Sequence, residues 1–156
     1  MNKDPQYLTK EGIDRLRTEL ADLTGRAREE ISIRLRAAIS MGDLSENADY
    51  HKAKEDQGFL EGRIQELEYI LANAVIIEEM EKDLSKVGIG DTITIQEDGE
   101  PSEVYYLVGP KEADPVNGRI SHESPIGKAL MGRKVGDVVA VTTPSGTLNI
   151  KIIKIE

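Results

Sequence analysis

The chain lacks cysteine and has few aromatic residues. Its 156 residues include Cys 0, Trp 0, one Phe and five Tyr. Without cysteine there can be no disulfide framework, thiolate metal site or cysteine nucleophile, and a reducing cytoplasm is the expected location. An aromatic content of 4% is low for a platform that stacks nucleic-acid bases or for the cage of a large cofactor.

Positive charge is also in short supply. Lys+Arg 20 against Asp+Glu 29 gives a net charge of -9. Because binding by counterion release needs cations in excess, any nucleic-acid contact must be local. No segment approaches the ~18 apolar residues of a membrane span, and residues 1–5 have no apolar stretch behind a basic start. We therefore expect a soluble, unexported protein that has no membrane partner.

Proline is missing between residues 6 and 100, whereas five of the six prolines fall between Pro101 and Pro144. An interior proline breaks a helix, so the first half can form long ones. Apolar residues there recur at steps of three and four with one stutter, which is typical of a coiled-coil seam. The first stripe is Ile13, Leu16, Leu20, Leu23, Ala27, Ile31, Leu35 and Ala38, and the second is Ala48, Ala53, Leu60, Ile64, Leu67, Leu71 and Ala74.

The two stripes predict helical arms over residues 9–41 and 45–76. Gly42 can adopt the left-handed conformation that ends a helix, and two arms of nearly equal length joined by a tight turn form an antiparallel hairpin. At 1.5 Å per residue each arm would span about 50 Å. Gly58 and Gly62 each weaken the second arm by about 1 kcal/mol relative to alanine. Close helix approach is the favoured explanation for both, with a hinge as the alternative.

In the second half the apolar period changes to two. Residues 91–95, 104–108, 138–142 and 148–152 alternate as strands do, and Gly- and Pro-containing turns separate them. Residues 124–132 predict a short helix capped by Ser124 and closed by Gly132. The predicted fold is α+β, with a coiled-coil hairpin in residues 1–80 and an antiparallel sheet crossed by one helix in residues 81–156.

The most concentrated chemistry lies in residues 42–47 at the predicted hairpin tip, where Asp43 and Glu46 stand three residues apart. One interpretation is structural: Asp43 caps the second helix and Glu46 completes a capping-box variant. The other is that two carboxylates form half of a Mg²⁺ site, which a partner completes. The histidines His51 and His122 cannot build a closed zinc site without further nitrogen or sulfur ligands.

Two groups of motifs stand out, one in each half of the chain. The first is Gly42-Asp43-Leu44-Ser45-Glu46-Asn47-Ala48-Asp49-Tyr50-His51, followed by Gln57-Gly58-Phe59-Leu60-Glu61-Gly62-Arg63-Ile64. The second is Gly109-Pro110-Lys111-Glu112-Ala113-Asp114, Ile120-Ser121-His122-Glu123-Ser124-Pro125-Ile126-Gly127 and Val135-Gly136-Asp137. Together they closely resemble the Gre family of bacterial transcript cleavage factors, and the resemblance covers essentially the whole chain in order.

This resemblance implies a mechanism. Gre factors insert the coiled coil through the secondary channel of a backtracked RNA polymerase, and tip acids help to hold Mg²⁺ and the attacking water. The polymerase then hydrolyses the nascent RNA near its 3′ end. By position the acids are Asp43 and Glu46, and the residues that shape or anchor the tip are Leu44, Ser45, Asn47 and Tyr50. The chain would be a monomeric accessory factor with no nuclease activity of its own, and would bind Mg²⁺ weakly when free.

The resemblance also implies that the second domain is FKBP-like and docks at the channel rim through Ser124, Pro125 and Ile126. A basic patch on the coiled coil contacts extruded RNA in this family. The candidates are Arg26, Arg28, Arg34 and Arg36, although ion pairs with neighbouring acids explain them equally well.

Three other functions remain open from the sequence. A non-cleaving relative could plug the channel, although its tip should depart from the two-acid pattern. A coiled-coil chaperone or adaptor would have a tip that is merely solvated. A prolyl isomerase would need an apolar aromatic pocket, for which only Tyr105 and Tyr106 are available after residue 80.

Overall fold

The first half of the chain is helical, as the proline-free stretch predicts. The computed structural model describes residues 4–156. Residues 1–3, part of the segment on which the prediction of an unexported protein rests, lie outside the described residues. Helix α1 spans Lys10–Asp22, a π-helical segment spans Leu23–Ala27, and α2 spans Arg28–Ser40. A single 3₁₀ turn, Leu44–Glu46, precedes helix α3 at Ala48–Ala72. No helix of the described residues is long and apolar enough to cross a membrane.

The π-helical segment coincides with the stutter in the first apolar stripe. Around Leu23 and Ala27 the apolar step becomes four on several successive turns, and a π turn accommodates an extra residue by bonding i to i+5. Every residue of the predicted first stripe is buried or half-buried. The local change of helix type therefore keeps one apolar face along α1 and α2.

Helix α3 supplies most of the buried side chains of the hairpin: Ala53, Leu60, Ile64, Leu67 and Ile70. The second arm ends at Ala72 rather than residue 76, because residues 74–76 form a short strand, and Ala48 is exposed rather than part of the seam. The close-approach explanation of Gly58 and Gly62 is wrong. A Cβ at either position would meet nothing within 4 Å.

Short strands β1 (Gln6–Leu8) and β2 (Ala74–Ile76) pair with each other and escaped the sequence prediction. The remaining strands are β3 (Thr92–Glu97), β4 (Glu103–Val108), β5 (Arg119–Ser121), β6 (Val138–Thr143) and β7 (Gly146–Ile155), with helix α4 at Pro125–Leu130. Strands β3, β4, β6 and β7 and helix α4 all lie where the sequence predicts them.

The larger sheet has the strand order β5-β4-β3-β7-β6. Three of its four pairings are antiparallel as predicted, but β4 and β5 are parallel, with Leu107 opposite Ile120. Helix α4 begins as predicted, because the Ser124 hydroxyl accepts a hydrogen bond from the Gly127 N–H at 3.0 Å and Pro125 occupies the first turn. The core consists of Val87, Ile93, Ile95, Leu107, Ile120, Leu130, Val139, Val141, Ile150, Ile152 and Ile155.

The chain divides into two units. Within the described residues, the helical unit contains Asp4 and residues 13–74, and the sheet unit contains residues 5–12 together with residues 75–156. The division predicted at residue 80 differs in two places: residues 75–80 and the early segment 5–12 both belong to the sheet unit. Both differences involve the β1 and β2 strands, whose three residues each are too short to show a period.

Candidate functional site

The hairpin tip is built on two consecutive left-handed residues. Gly42 has φ 76°, and Asp43 has φ 47° and ψ 55°. Gly42 was predicted to end the first arm in this way, whereas the left-handed Asp43 was not predicted. A non-glycine residue in this region is uncommon, and such strain concentrates at functional sites.

Asn47, not Asp43, caps helix α3. The Asn47 side-chain oxygen accepts a hydrogen bond from the Tyr50 N–H at 3.1 Å, which satisfies the helix start. The Asn47 amide also donates to the Ala38 carbonyl at 2.8 Å and the Gly42 carbonyl at 3.3 Å. One side chain therefore ties the end of α2 to the beginning of α3. The prediction that Asp43 caps this helix with Glu46 at its third position is wrong.

The carboxylates of Asp43 and Glu46 consequently have no structural partner at the tip. Within residues 4–156 neither side chain accepts a hydrogen bond or forms an ion pair, and residues 41–46 are all exposed. Asp43 contributes only its backbone carbonyl, which accepts from the Glu46 N–H at 3.1 Å. No group of three His, Cys, Asp or Glu residues in that range could hold a metal ion by itself. Two hard oxygen donors suit Mg²⁺, and the remaining ligands would have to come from elsewhere.

The residues around the carboxylates stabilise the turn. The His51 ring nitrogen Nε2 lies 3.1 Å from the Ser45 carbonyl, and the Tyr50 and His51 rings meet edge to face at 5.6 Å. Leu44 is exposed, and so is Met41. The tip thus presents two acids and two apolar side chains on a turn that Asn47 and His51 hold.

Three of the four candidate RNA-binding arginines form ion pairs. Arg26 contacts Asp22 at 2.9 Å and Glu30 at 2.8 Å, both one helical turn away. Arg28 reaches across the hairpin to Glu61 at 2.8 Å, and Arg34 reaches Asp56 at 2.9 Å. Arg36 donates only to the Ser32 hydroxyl at 3.1 Å and has no carboxylate partner in the described part of the chain. Of the four, Arg36 is the most available cation.

The ion pairs across the hairpin lower the pKa values of the carboxyl groups that form them. Hydrogen bonds from Lys52 and Arg34 lower the pKa of Asp56, and the hydrogen bond from Arg28 lowers the pKa of Glu61. From the pair Arg28–Glu61 to the pair Arg34–Asp56 the residue number rises on the first arm and falls on the second, as antiparallel arms require. The prediction of ion pairs is confirmed for Arg26, Arg28 and Arg34; Arg26 pairs with acids of its own arm, whereas Arg28 and Arg34 pair across the hairpin.

The three predicted docking residues differ in exposure. Ser124 is half-buried and caps α4, Ile126 packs against the sheet core, and Pro125 is exposed.

The two tyrosines that could line an isomerase pocket both make contacts with other residues of the sheet unit. Tyr105 packs on the core and donates its hydroxyl to Glu103 at 2.5 Å, and the Arg119 guanidinium lies 5.4 Å from the centre of the Tyr106 ring.

Family comparisons agree with both halves of this description. The model described as "Transcription elongation factor, N-terminal" matches residues 6–76, and "Transcription elongation factor, GreA/GreB, C-term" matches residues 81–156. The chain belongs to the GreA/GreB family of transcription elongation factors. Like other Gre factors, it is therefore an accessory factor of transcription rather than an enzyme in its own right.

Individual relatives match this Gre factor along nearly its whole length. Transcription elongation factor GreA of Thermoanaerobacter pseudethanolicus is 47% identical over 152 residues, which is 97% of each chain. GreA of a Roseiflexus species is 46% identical over 100% of both chains. Among solved structures, GreA factor homolog 1 of Thermus thermophilus is 31% identical over 98% of this chain and 99% of that one, with a TM-score of 0.45.

Sequence reasoning did not identify the residue that caps α3 in this Gre factor. Asn47 was expected to shape or anchor the tip but not to cap the helix, although an Asn directly before a helical segment is a strong capping signal. The pairing of its amide with carbonyls of the other arm depends on how the turn folds, which the local sequence pattern does not reveal.

Proposed function

We propose that this elongation factor binds bacterial RNA polymerase, inserts its hairpin tip through the secondary channel and stimulates hydrolysis of backtracked nascent RNA. The observation that carries the proposal is the tip itself. Asp43 and Glu46 are exposed and unpartnered on a turn that other residues hold together. Carboxylates that contribute nothing visible to the fold are available for chemistry elsewhere.

The proposed role of Asp43 and Glu46 is to supply oxygen ligands to a Mg²⁺ ion held jointly with the polymerase. The ion, when bound, would help to activate the water that attacks the RNA. Asn47 and the left-handed backbone at residues 42 and 43 keep the two carboxylates at the end of the hairpin. Because two carboxylates provide only part of the six-oxygen shell, the free chain should bind Mg²⁺ weakly.

Two further contacts follow by position. Arg36 is the arginine that we assign to the extruded RNA near its 3′ end, since it has no competing carboxylate. The exposed Pro125, supported by Ser124 and Ile126, is the centre of the proposed polymerase-docking surface. We also propose that the chain is a cytoplasmic monomer.

The test uses polymerase halted and backtracked on a template, with the RNA labelled at its 5′ end. Addition of the chain should shorten the labelled RNA, release a 3′ fragment and allow elongation to resume. The matched control is an elongation complex that has not backtracked, whose RNA should stay intact. Cleavage of free RNA by the chain alone would contradict the accessory role.

The competing functions give different outcomes in the same experiment. Binding that blocks elongation without shortening the RNA would indicate a channel-plugging inhibitor. Failure to capture polymerase at all would favour a chaperone or adaptor.

A further inference from the structure

The start of the first helix is held by the sheet unit in a cradle that the proposed chemistry does not use. Residues 5–12 belong to that unit. They lie against Gly109–Asp114, one of the motifs that stood out in the sequence and received no role at the tip. We define the cradle as residues 109–112 together with Glu78 and Arg119.

Glu112 is the central residue of the cradle. Its side chain is only 4% exposed, although it carries a carboxylate. It accepts hydrogen bonds from the Thr9 N–H at 2.6 Å and the Thr9 hydroxyl at 2.5 Å, and Arg119 donates to it at 3.2 Å. Thr9 in turn accepts from the Gly12 N–H at 3.0 Å through its hydroxyl and so caps α1. A buried carboxylate is expensive unless it is fully paired, and this one is paired to the first turn of the helix.

Independent contacts hold the same segment. A Cβ at Gly109 would collide with the Tyr7 carbonyl, and a Cβ at Gly12 would collide with the Glu112 carboxylate. Glu78 accepts a hydrogen bond from the Lys10 N–H at 3.1 Å. The Tyr7 ring meets the His122 ring edge to face at 5.6 Å. Neither glycine has room for a side chain, and the carboxylates of Glu112 and Glu78 accept hydrogen bonds from two successive backbone N–H groups, those of Thr9 and Lys10. The segment is therefore closely packed and specifically hydrogen-bonded in the cradle.

We infer that Glu112 is a positioning residue for transcript cleavage, which fixes the point at which the first arm leaves the docking unit. The inference rests on the proposed function, because it concerns delivery of the tip carboxylates. Glu112 touches neither RNA nor polymerase in this account. With Glu112 in place, the first turn of α1, which belongs to the sheet unit, is held at one defined position.

The test compares full-length variants at saturating concentration, where binding no longer limits the rate. Glu112→Gln keeps the shape of the side chain but removes the charge and half of its accepting capacity. Since a misplacement of about 1 Å can cost on the order of 100-fold in rate, the maximal cleavage rate should fall at least about tenfold. The concentration for half-maximal competition with the unmodified factor should not change.

Asp91→Asn is the matched control. Asp91 is another buried carboxylate of the sheet unit, 2% exposed, and it accepts a hydrogen bond at 2.7 Å from the N–H of Gly88, a residue outside the cradle. The control removes the charge of a buried carboxylate outside the cradle and should leave the maximal cleavage rate unchanged, which separates loss of the cradle from loss of a buried charge as such.

A second pair of variants keeps the test valid if Glu112→Gln does not fold. Thr9→Val removes the hydroxyl that contacts Glu112, and Thr9→Ser restores it. The valine variant should lose maximal cleavage and the serine variant should regain it, with equal competition for polymerase. Maximal cleavage within twofold of the unmodified chain in folded Glu112→Gln, or in Thr9→Val where the former does not fold, would overturn the inference. If the unmodified chain itself stimulates no cleavage, the proposed function fails and the inference fails with it.

Discussion

At the scale of single residues, the side chains that stabilise the tip differ from those proposed to take part in chemistry. Asn47 caps α3 through its side-chain oxygen and bonds to α2 through its side-chain nitrogen, whereas the side chains of Asp43 and Glu46 form no hydrogen bond or ion pair within residues 4–156. Asp is tolerated in the left-handed region better than most residues, so Asp43 can occupy its position at modest cost. The acids are therefore placed by the backbone and by their neighbours.

Substitution of Asn47 should separate its two structural roles. Asn47→Asp keeps a cap acceptor but loses the amide donor to Ala38 and Gly42, and Asn47→Ala loses both. Loss of the cap alone should cost about 1 kcal/mol of unfolding free energy. We expect stability to fall in the order unmodified chain, Asp variant, Ala variant in denaturant unfolding, and amide exchange at residues 42–46 to rise in both variants. Exchange at the tip that is unaffected in Asn47→Asp would show that the amide bridge does not order the turn.

At the scale of elements, the long periodic segments were predictable and the short ones were not. The apolar stripes predicted the hairpin because each extends over several helical turns, and period-two alternation predicted four strands. Strands β1, β2 and β5 have three residues each, too few for any period to appear. The role of Asp43 and Glu46 was predicted from the residues and the resemblance, and it stays a prediction. The capping error arose because Asp43 and Asn47 are both good cap residues, and only the folded turn shows which one is used.

The glycines of the hairpin provide an element-scale prediction. Gly58 and Gly62 lie inside α3 with open space at their Cβ positions, so Gly58→Ala and Gly62→Ala should each stabilise the chain by up to about 1 kcal/mol. Gly42→Ala is the contrasting variant, because φ 76° should make it destabilising by about 1–2 kcal/mol. Denaturant unfolding measures all three. Destabilisation at residues 58 and 62 would instead point to a close approach that the structure does not contain.

At the scale of the whole molecule, carboxyl pKa values are shifted in both directions. Ion pairs lower the pKa of Asp56 and Glu61 in the helical unit, whereas in the sheet unit burial raises the pKa of Asp91 and hydrogen bonds from Ser85 lower the pKa of Asp83. A lowered pKa contributes stability above the unfolded value that is lost as the pH falls through the folded value. A raised carboxyl pKa has the opposite sign, since protonation then favours the folded state.

Acid should therefore weaken the helical unit before the sheet unit. As the pH falls below about 4, Asp56 and Glu61 become protonated and the cross-hairpin pairs are lost, whereas protonation of Asp91, whose pKa is raised by burial, favours the folded form of its own unit. The pairs are exposed, so the effect should be small and should diminish in high salt. Two-dimensional NMR at successive pH values would follow both units at once. Loss of the sheet-unit resonances at a higher pH than those of the helical unit would contradict the prediction that acid weakens the helical unit first.

The central claim is that Asp43 and Glu46 serve cleavage and not the fold, and neutral isosteres test it most directly. Asp43→Asn keeps a residue that tolerates the left-handed backbone, Glu46→Gln keeps the side-chain shape, and Glu55→Gln provides the same chemical change on exposed α3 away from the tip. Each is added at saturating concentration to a backtracked polymerase, with melting and competition binding measured in parallel. We predict that both tip variants have the melting temperature and the polymerase competition of the unmodified chain. Their cleavage rate should fall at least about tenfold, the lower end of the cost of disturbing a metal site, whereas the cleavage rate of the control should not fall. Near-normal cleavage by both tip variants would contradict the account.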